Sequence, residues 1–568
     1  MPPRYSRELT RPVVLGPKLK EQFRTSPCEH ACPIGNSIQK MHALVEKGEF
    51  TEALRYLRAK NPFPGVTGRV CPHFCMDACN RKEMDGCLNI RALERATDAF
   101  ANRGQAALRR RPATGHRAAV VGGGPAGLTA AYYLCLLGHD VTVYEAAPML
   151  GGVPRYGVPS FRLPRDVVDR EVGMILEAGV RAVVNTRVGV DITMDEILAR
   201  NEAVILATGV PAENSLPIPG AEKAVRAVEF LRASSLGLNA GGRIGRRVVV
   251  MGGGGVGFDC AFTARRLGAD DIHIVCLEKE GAMRAPAEDL ELAAKEGIHI
   301  HNSCTMSAIR VENDRVTGVD YFEVSECRFD ERGRLSLIPT PGGEHALACD
   351  TVIFAVGLKT DLSYLGENAG GLALTPRRWI SVDAAQRTSD PRIFAAGDVA
   401  AGPASIARAI GDGRRAAFAA HEALTGGKSR VYALAEDDTI EAVDAMGSDK
   451  DPYVVPFADI YGIAQYESVP SEKEAVSDCA KAFAELNLGF TAEQARKEAA
   501  RCFHCGHCKA CGTCVQDCPG YVLELKNYQD IMERPEVAHG EECWHCANCR
   551  TSCPCGAIGF TFPLFMQV

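Results

Sequence analysis

At 568 residues, 46% of them hydrophobic and 24% charged, the chain is too long for one core of ordinary size and is expected to fold as several domains. The formal net charge of -7 excludes the basic field of a nucleic-acid binder. No apolar run reaches the roughly 18 residues that cross a bilayer, and the opening MPPRYSRELTRPVV lacks a secretory apolar stretch, so a soluble, cytoplasmic protein is expected.

Of the 24 cysteines, six lie between Cys28 and Cys87 and eleven between Cys502 and Cys555. In a long intracellular chain such clustering reads as metal at the two ends rather than as disulfides. The first element is a helical stretch in which CEHAC supplies Cys28 and Cys32. GRVCPHFCMDAC then supplies Cys71, Cys75 and Cys79, and DGCLNIRALE supplies Cys87 and ends on Glu94.

From Arg117 to Glu145 the chain reads as strand, glycine turn, Ala-rich helix and second strand ending in an acid, a complete βαβ fingerprint. Gly122 permits the tight turn, Gly124 lets the backbone approach a pyrophosphate, Gly127 allows close helix packing, and Glu145 stands where a ribose hydroxyl would be bound. Pro125 and Ala126 complete that turn. The segment GGVPRYGVPSFRLP adds Gly152 and Arg162, and VILATGV, read as a buried strand and turn, adds Thr208 and Gly209.

A second copy spans Arg246 to Glu278, with Gly252, Gly254 and Gly257 in the three glycine positions and Gly255 and Val256 between them, so two dinucleotides are expected. VIFAVGLKTD reads as another buried strand and contributes Gly357. RIFAAGDVAAGPASIARAIGDGRRAA places Gly397 and Asp398 before a helix that begins near Ser405.

From about residue 20 to 425 these motifs make the chain resemble the small subunit of bacterial glutamate synthase and the N-terminal flavin portion of dihydropyrimidine dehydrogenase. The resemblance implies that the first turn holds FAD and the second NAD(P), with hydride passing from nicotinamide to flavin. It also implies that the helix from Ser405 turns its positive end toward the flavin. NADPH-using relatives usually carry Tyr-Arg-Arg at the end of the second fingerprint, whereas this chain has Cys276, Leu277 and Glu278. An acid there suits a free ribose 2'-hydroxyl and repels a phosphate, so NADH is expected over NADPH. In the other reading Glu278 is a solvated charge, and Lys279 or Arg284 meets the phosphate. No Cys-x4-Cys pair adjoins the flavin segment, which leaves a thiol relay without residues; the isolated cysteines, Cys479 among them, read as small hydrophobes.

At the C-terminal end, CKACGTCVQDCP and CWHCANCRTSCP both obey C-x2-C-x2-C-x3-C-P, the two-cluster ferredoxin run. The fourth cysteine of each run crosses over, giving Cys508, Cys511, Cys514 and Cys553 for one 4Fe-4S cluster and Cys543, Cys546, Cys549 and Cys518 for the other. The N-terminal module resembles the helical two-cluster domain of the same family, but the Glu-Ala-x-Arg-Cys-x-x-Cys motif that opens that domain is missing before Cys28. It occurs instead in GFTAEQARKEAARCFHC, ending in Cys502 and Cys505. A fold-back would give one cluster Cys28, Cys79, Cys502 and Cys505, and the other Cys32, Cys71 and Cys75 with either Cys87 or Glu94. Glu94 stands in the place of a glutamine ligand of the dihydropyrimidine dehydrogenase pattern, while Cys87 is the softer donor. The count is then about four clusters. The alternative is a single N-terminal cluster, with Cys502 and Cys505 as additional thiols.

The expected fold is α/β. A helical 4Fe-4S domain occupies 1–112, and two Rossmann-like domains follow: FAD-binding in two parts (113–240 and 351–427) and NAD(H)-binding (241–350). Residues 428–500, including the acidic AEDDTIEAVDAMGSDKD, form a connector, and 501–568 form an α+β bacterial-ferredoxin-like domain. The function expected is electron transfer between NAD(H) and a catalytic redox subunit of a larger complex. The partner subunit's substrate would be an oxoacid, an aldehyde, sulfite or an aromatic acyl-CoA. The alternatives are an autonomous oxidoreductase with a ferredoxin partner, bifurcating or not, and a carrier without turnover.

Overall fold

The computed structural model describes residues 23–238, 244–283, 285–329, 335–366, 371–426, 452–460, 468–476, 483–526 and 535–558. The acidic stretch 435–451, Arg284 and Cys479 lie outside the described residues. The chain divides into two compact units, one of residues 112–426 with 476–488, the other of 1–111 with 427–475 and 489–568.

The central unit contains two five-stranded parallel sheets. In the first, the order is Ile393–Ala395, Ala203–Leu206, Arg117–Val121, Asp140–Tyr144, Arg181–Val183. In the second it is Ile298–His301, Asp271–Val275, Arg247–Met251, Thr351–Phe354, Val225–Arg226. The strand that leads into each glycine turn is the middle one, and past its first residue it is wholly buried. Burial on both faces is what a parallel sheet needs, and it explains why RAAVV and RVVVM read as continuous apolar runs rather than as alternation. A three-stranded antiparallel sheet, Cys304–Glu312, Arg315–Phe329 and Leu335–Leu347, covers the second sheet through Met306, Val319 and Tyr321.

The helix Pro125–Leu136 is apolar all round and buried along nearly its whole length, as expected of a helix inside a core. Its partner is the helix Ile406–Thr425. The two approach closely because Gly413 has no side chain: a Cβ there would meet Ala126 O at 2.2 Å.

The terminal unit begins with helices α1 (Pro27–Ala31), α2 (Ile38–Lys47), α3 (Phe50–Arg58), α4 (Pro64–Val70), α5 (Phe74–Asp77) and α6 (Ile90–Phe100). The helix Ala492–Ala500, opened by a capping box on Thr491 and Gln494, packs on α2 and α6. The strand Phe23–Thr25 pairs in parallel with Pro452–Val454. Part of the expected connector is therefore core here: Val455 and Ile460 pack with Phe503 and Cys505. The ferredoxin-like segment contributes the one-turn helices Thr513–Gln516 and Asn548–Thr551 and the short pair Leu523–Glu524 with Glu536–Val537.

No helix of the described residues is long and apolar enough to cross a membrane.

Candidate functional site

The first glycine turn is built to bring backbone against a ligand. Gly122 has φ +110°, and a Cβ on it would meet Ala207 O at 2.4 Å; one on Gly127 would meet Gly122 O at 2.0 Å. Gly124 is the N-cap of Pro125–Leu136 and offers no side-chain cap, so the first N–H groups of that helix are left without one. These features fit the pyrophosphate of FAD. Glu145 is held beside the turn, its Oε2 accepting from Gly123 N and its Oε1 from Ala147 N, both at 2.7 Å. Gly152 faces Gly124 across the same space, with only 2.7 Å between its would-be Cβ and Gly124 Cα. Thr208 bonds Tyr364 Oη at 3.2 Å, beside Gly209 with φ +65°. Asp398 follows Gly397 and accepts from Ala404 N at 3.3 Å; burial, then Asp412, raise its pKa to about 6. Ser405 caps Ile406–Thr425 by accepting from Arg408 N.

The second turn repeats the first. Gly252 has φ +127° with its would-be Cβ 2.3 Å from Ala355 O, and that of Gly257 lies 2.0 Å from Gly252 O. Cβ atoms at Gly254 and Gly255 would meet nothing within 4 Å, and Val256 is exposed, which leaves room for a second pyrophosphate. A Cβ at Gly253 would lie 2.9 Å from Glu278 Oε2, just as one at Gly123 would lie 3.0 Å from Glu145 Oε2. The two acids thus occupy equivalent places. Gly357, at φ +93°, approaches Asn214 Nδ2.

Arg162, expected at the flavin, is engaged elsewhere. Its Nε donates to Asp259 at 2.6 Å and its Nη2 to Asp289 at 2.7 Å, with Phe262 against the guanidinium. Burial opposes its charge, but the two carboxylates outweigh it and hold the Arg162 pKa above its ordinary value. Arg162 therefore ties the flavin-side segment to helix Gly255–Arg266. Sequence reading missed this because the two aspartates are far away along the chain.

In the terminal unit the thiols lie near one another in groups. Burial, Glu29, Cys79 and Cys505 raise the Cys28 pKa well above its ordinary value; burial, Cys28, Cys505 and Cys79 do the same for Cys502. Cys505, pushed up to about 12 by burial, accepts from Asn80 Nδ2 at 3.4 Å. A second group joins Cys32, Cys71 and Cys75: burial comes first for each, and Glu94 raises all three. Thiols this buried ionise only beside a cationic partner, and the irons of a cluster are one.

Glu94 lies beside this second group. Its Oε1 accepts from Thr67 Oγ1 at 2.8 Å, Asn61 Nδ2 at 2.9 Å and Asn36 Nδ2 at 3.1 Å, while no hydrogen bond among the described residues engages Oε2. Burial raises the Glu94 pKa to about 7. Cys87 lies instead beside Cys79.

Three Cys-x-x-Cys turns share one backbone form. His504, Ala510 and His545, each just before the second cysteine, have φ of 54°, 53° and 54°, and Gly506, Gly512 and Ala547, each just after it, are also left-handed. In two of these turns the left-handed residue donates N–H to the first sulfur, His504 to Cys502 and Ala510 to Cys508, both at 3.4 Å. The turn at Cys502 is thus a third copy of the ferredoxin-type turn.

The motif preceding it is a clamp. Arg501 donates to Glu498 Oε1 at 2.8 Å and to Asp85 Oδ1 at 3.0 Å, and Arg81 meets Asp85 at 2.7 Å, all nearly without solvent exposure. Glu498 Oε1 also accepts from Asn89 N at 2.8 Å. Asp85, Arg81 and Asn89 escaped sequence reading, although Glu498 and Arg501 are the Glu and Arg of the Glu-Ala-x-Arg-Cys motif.

In the ferredoxin-like segment, burial and then Cys553, Cys508 and Cys511 raise Cys514 to about 12; burial and then Cys518, Cys543 and Cys546 raise Cys549. Cys511 and Cys546 are exposed.

Two nucleotide turns and clustered thiols define an iron-sulfur flavoprotein that works as an NAD(P)H-dependent oxidoreductase. The chain belongs to the pyridine nucleotide-disulphide oxidoreductase family, which it matches over residues 116–413, and residues 22–105 match dihydropyrimidine dehydrogenase domain II, 4Fe-4S cluster. It is 34% identical over 514 residues to the NADP(+)-dependent formate dehydrogenase subunit beta of Moorella thermoacetica, covering 85% of this chain and 71% of that protein. It is 32% identical over 516 residues to the NADPH-Fe(3+) oxidoreductase subunit beta of Geobacter sulfurreducens (85% and 75% covered). It is 33% identical over 428 residues to the glutamate synthase (NADPH) small chain of Mycobacterium tuberculosis (70% and 86% covered).

Proposed function

We propose that this chain passes electrons between NADH and a separate catalytic redox subunit, by way of FAD and about four 4Fe-4S clusters. When bound, flavin converts two-electron hydride chemistry into the single-electron steps that iron-sulfur centres carry. The chain's own residues hold the centres. The two glycine turns seat the dinucleotides, Glu145 and Glu278 accept from their riboses, and the helix starting at Ser405 directs its N–H groups toward the flavin side. Cys28, Cys79, Cys502 and Cys505 hold one cluster, and Cys32, Cys71 and Cys75 with Glu94 a second. Cys508, Cys511, Cys514 and Cys553 hold a third, and Cys518, Cys543, Cys546 and Cys549 a fourth. The observation that carries this reading is the third ferredoxin-type turn at Cys502, which stands among Cys28 and Cys79. Action as a subunit is supported by relatives named as subunits of a formate dehydrogenase and of an NADPH-Fe(3+) oxidoreductase.

A Cys502→Ser/Cys505→Ser variant, purified without oxygen, is expected to lose about four irons while the ferredoxin-type EPR signals persist. Cys87→Ser is expected to keep its full iron. Unchanged iron in the double variant would reject the cluster assignment.

Several relatives are named for NADPH. The reading of this chain as NADH-preferring rests on Glu278 standing where Glu145 stands in the other turn, with Lys279 exposed on the side of Glu326. Measured kcat/KM is expected to be at least tenfold higher for NADH, about 1.4 kcal/mol. A preference for NADPH removes that assignment.

A further inference from the structure

The two thiol quartets nearest the N-terminus are coupled by a device that the ferredoxin-like segment repeats. Helices α1 and α5 are single turns packed on each other. Cys28 lies on the first with Cys32 just past its end, and Cys75 lies on the second with Cys79 just past its end. On the assignment proposed above each pair is shared out: Cys28 and Cys79 to one quartet, Cys32 and Cys75 to the other. The single turns Thr513–Gln516 and Asn548–Thr551 pack on each other in the same way. There Cys514 and Cys553 go to one quartet, Cys518 and Cys549 to the other.

What joins the two pairs is a backbone hydrogen bond. Gly506, the residue after Cys505, donates its N–H to the carbonyl of Cys555, two residues after Cys553, at 2.6 Å. Cys555 belongs to no quartet, is 1% exposed, and lies close to Cys553, Cys511 and Cys505. Both flanking turns rest on one side chain: Cβ atoms at Gly506 and Gly556 would lie 3.2 Å and 3.1 Å from the two methyls of Val455. The seat is pinned by two side chains. Arg24 Nε donates to Gly556 O at 2.7 Å, and Asn80 Nδ2 donates to Val455 O at 2.9 Å and to Cys505 Sγ at 3.4 Å. A buried hydrogen bond held by so many partners is a rigid link.

We propose that the four clusters form one unbranched series, in which the Gly506–Cys555 hydrogen bond joins the Cys505 cluster to the inner ferredoxin cluster on Cys553. The Glu94 cluster and the outer ferredoxin cluster on Cys546 are then the two ends. The exposed Cys546, with Trp544 66% exposed beside it, makes the outer end the face presented to a redox partner. The series rests on the cluster assignment proposed above.

The test is magnetic coupling in the dithionite-reduced full chain. Cys546→Ala removes the outer ferredoxin cluster, and the inner one is expected to keep an EPR signal split and rapidly relaxed by its neighbour. Adding Cys502→Ser and Cys505→Ser is expected to remove about four further irons and to leave the inner signal unsplit and slowly relaxing. Four irons lost with no change in the inner signal would overturn the series while leaving the assignment intact. No further iron lost would overturn the assignment, and the series with it. The unaltered chain provides a second measurement. Stepwise reduction is expected to give a final spectrum that differs from the sum of two independently coupled pairs, and a simple sum would overturn the link.

Discussion

On the proposed assignment the N-terminal and C-terminal pairs of quartets each take one thiol on, and one just past, each of two one-turn helices, yet they are assembled from very different material. The C-terminal pair comes from two continuous runs of twelve residues, and two of its thiols, Cys511 and Cys546, are exposed. The N-terminal pair draws on three distant stretches and a carboxylate, and it is closed by a buried ion network around Arg501. The Cys-x-x-Cys turns with left-handed residues at Ala510 and His545 are built from neighbours in sequence. On the proposed assignment the N-terminal pair is complete only with Cys502 and Cys505, which follow helix Ala492–Ala500, packed on α2 and α6. The C-terminal pair is therefore expected to tolerate damage to the docking interface, and the N-terminal pair is not.

Arg501→Met strikes at that difference hardest. It leaves Glu498 buried without its cation, while Asp85 keeps Arg81, and this costs about 3–5 kcal/mol. Urea unfolding is expected to show the terminal unit destabilised by that amount. Iron analysis with EPR should show the N-terminal clusters lost and the ferredoxin-type signals kept; equal loss of both would remove the distinction.

Acid should separate the regions next. His42, on α2, is 1% exposed with no hydrogen-bond partner for either ring nitrogen, and burial lowers its pKa to about 4, with Glu29 pulling the other way. Burial, then His42, Lys509 and His507, lower His504 to about 3. For a base whose folded pKa lies below its unfolded value of about 6.5, the unfolded chain binds the extra proton. Stability is then full above pH 6.5 and falls toward pH 4, by on the order of 1 kcal/mol per pH unit for each group. Melting temperature is expected to drop between pH 7 and pH 5, and to drop less in His42→Leu. An equal drop in the two proteins would discount His42.

The smallest effect is expected from Asn80→Leu, which deletes one donor to Cys505 Sγ and one to Val455 O. The loss should be about 1 kcal/mol, with a lower midpoint potential for the Cys505 cluster alone in an EPR-monitored titration, because hydrogen bonds to sulfur favour the reduced form. A shift in the ferredoxin-type signals instead would place Asn80 in the other region.

Much of the molecule could be read without coordinates because its signals are local. Gly127 must be glycine for a reason confined to one turn, its approach to Gly122 O, and the same holds for Gly257 against Gly252 O; their neighbouring strands carry the apolar runs of a doubly covered sheet. The position of Arg162 was not legible. Its arginine in a flavin-side segment suggested the cofactor, whereas Asp259 and Asp289, about a hundred residues on, take its guanidinium. Nor was the place of Val455, in a stretch read as a connector, since the turns it supports lie at Gly506 and Gly556.

By itself, then, the amino-acid order determined two dinucleotide turns and a ferredoxin-type pair, because short-range spacing and backbone sterics suffice for them. Only the tertiary structure brings Glu94 beside Cys32, Cys71 and Cys75, Cys87 beside Cys79, and Cys502 and Cys505 beside Cys28. Cys87 is the softer donor. Yet three hydrogen bonds, from Asn36, Asn61 and Thr67, hold the Glu94 carboxylate in a buried place where a charged oxygen would otherwise be too costly to keep. Which thiols meet is settled by the helices that carry them and by the ion network that locks those helices together.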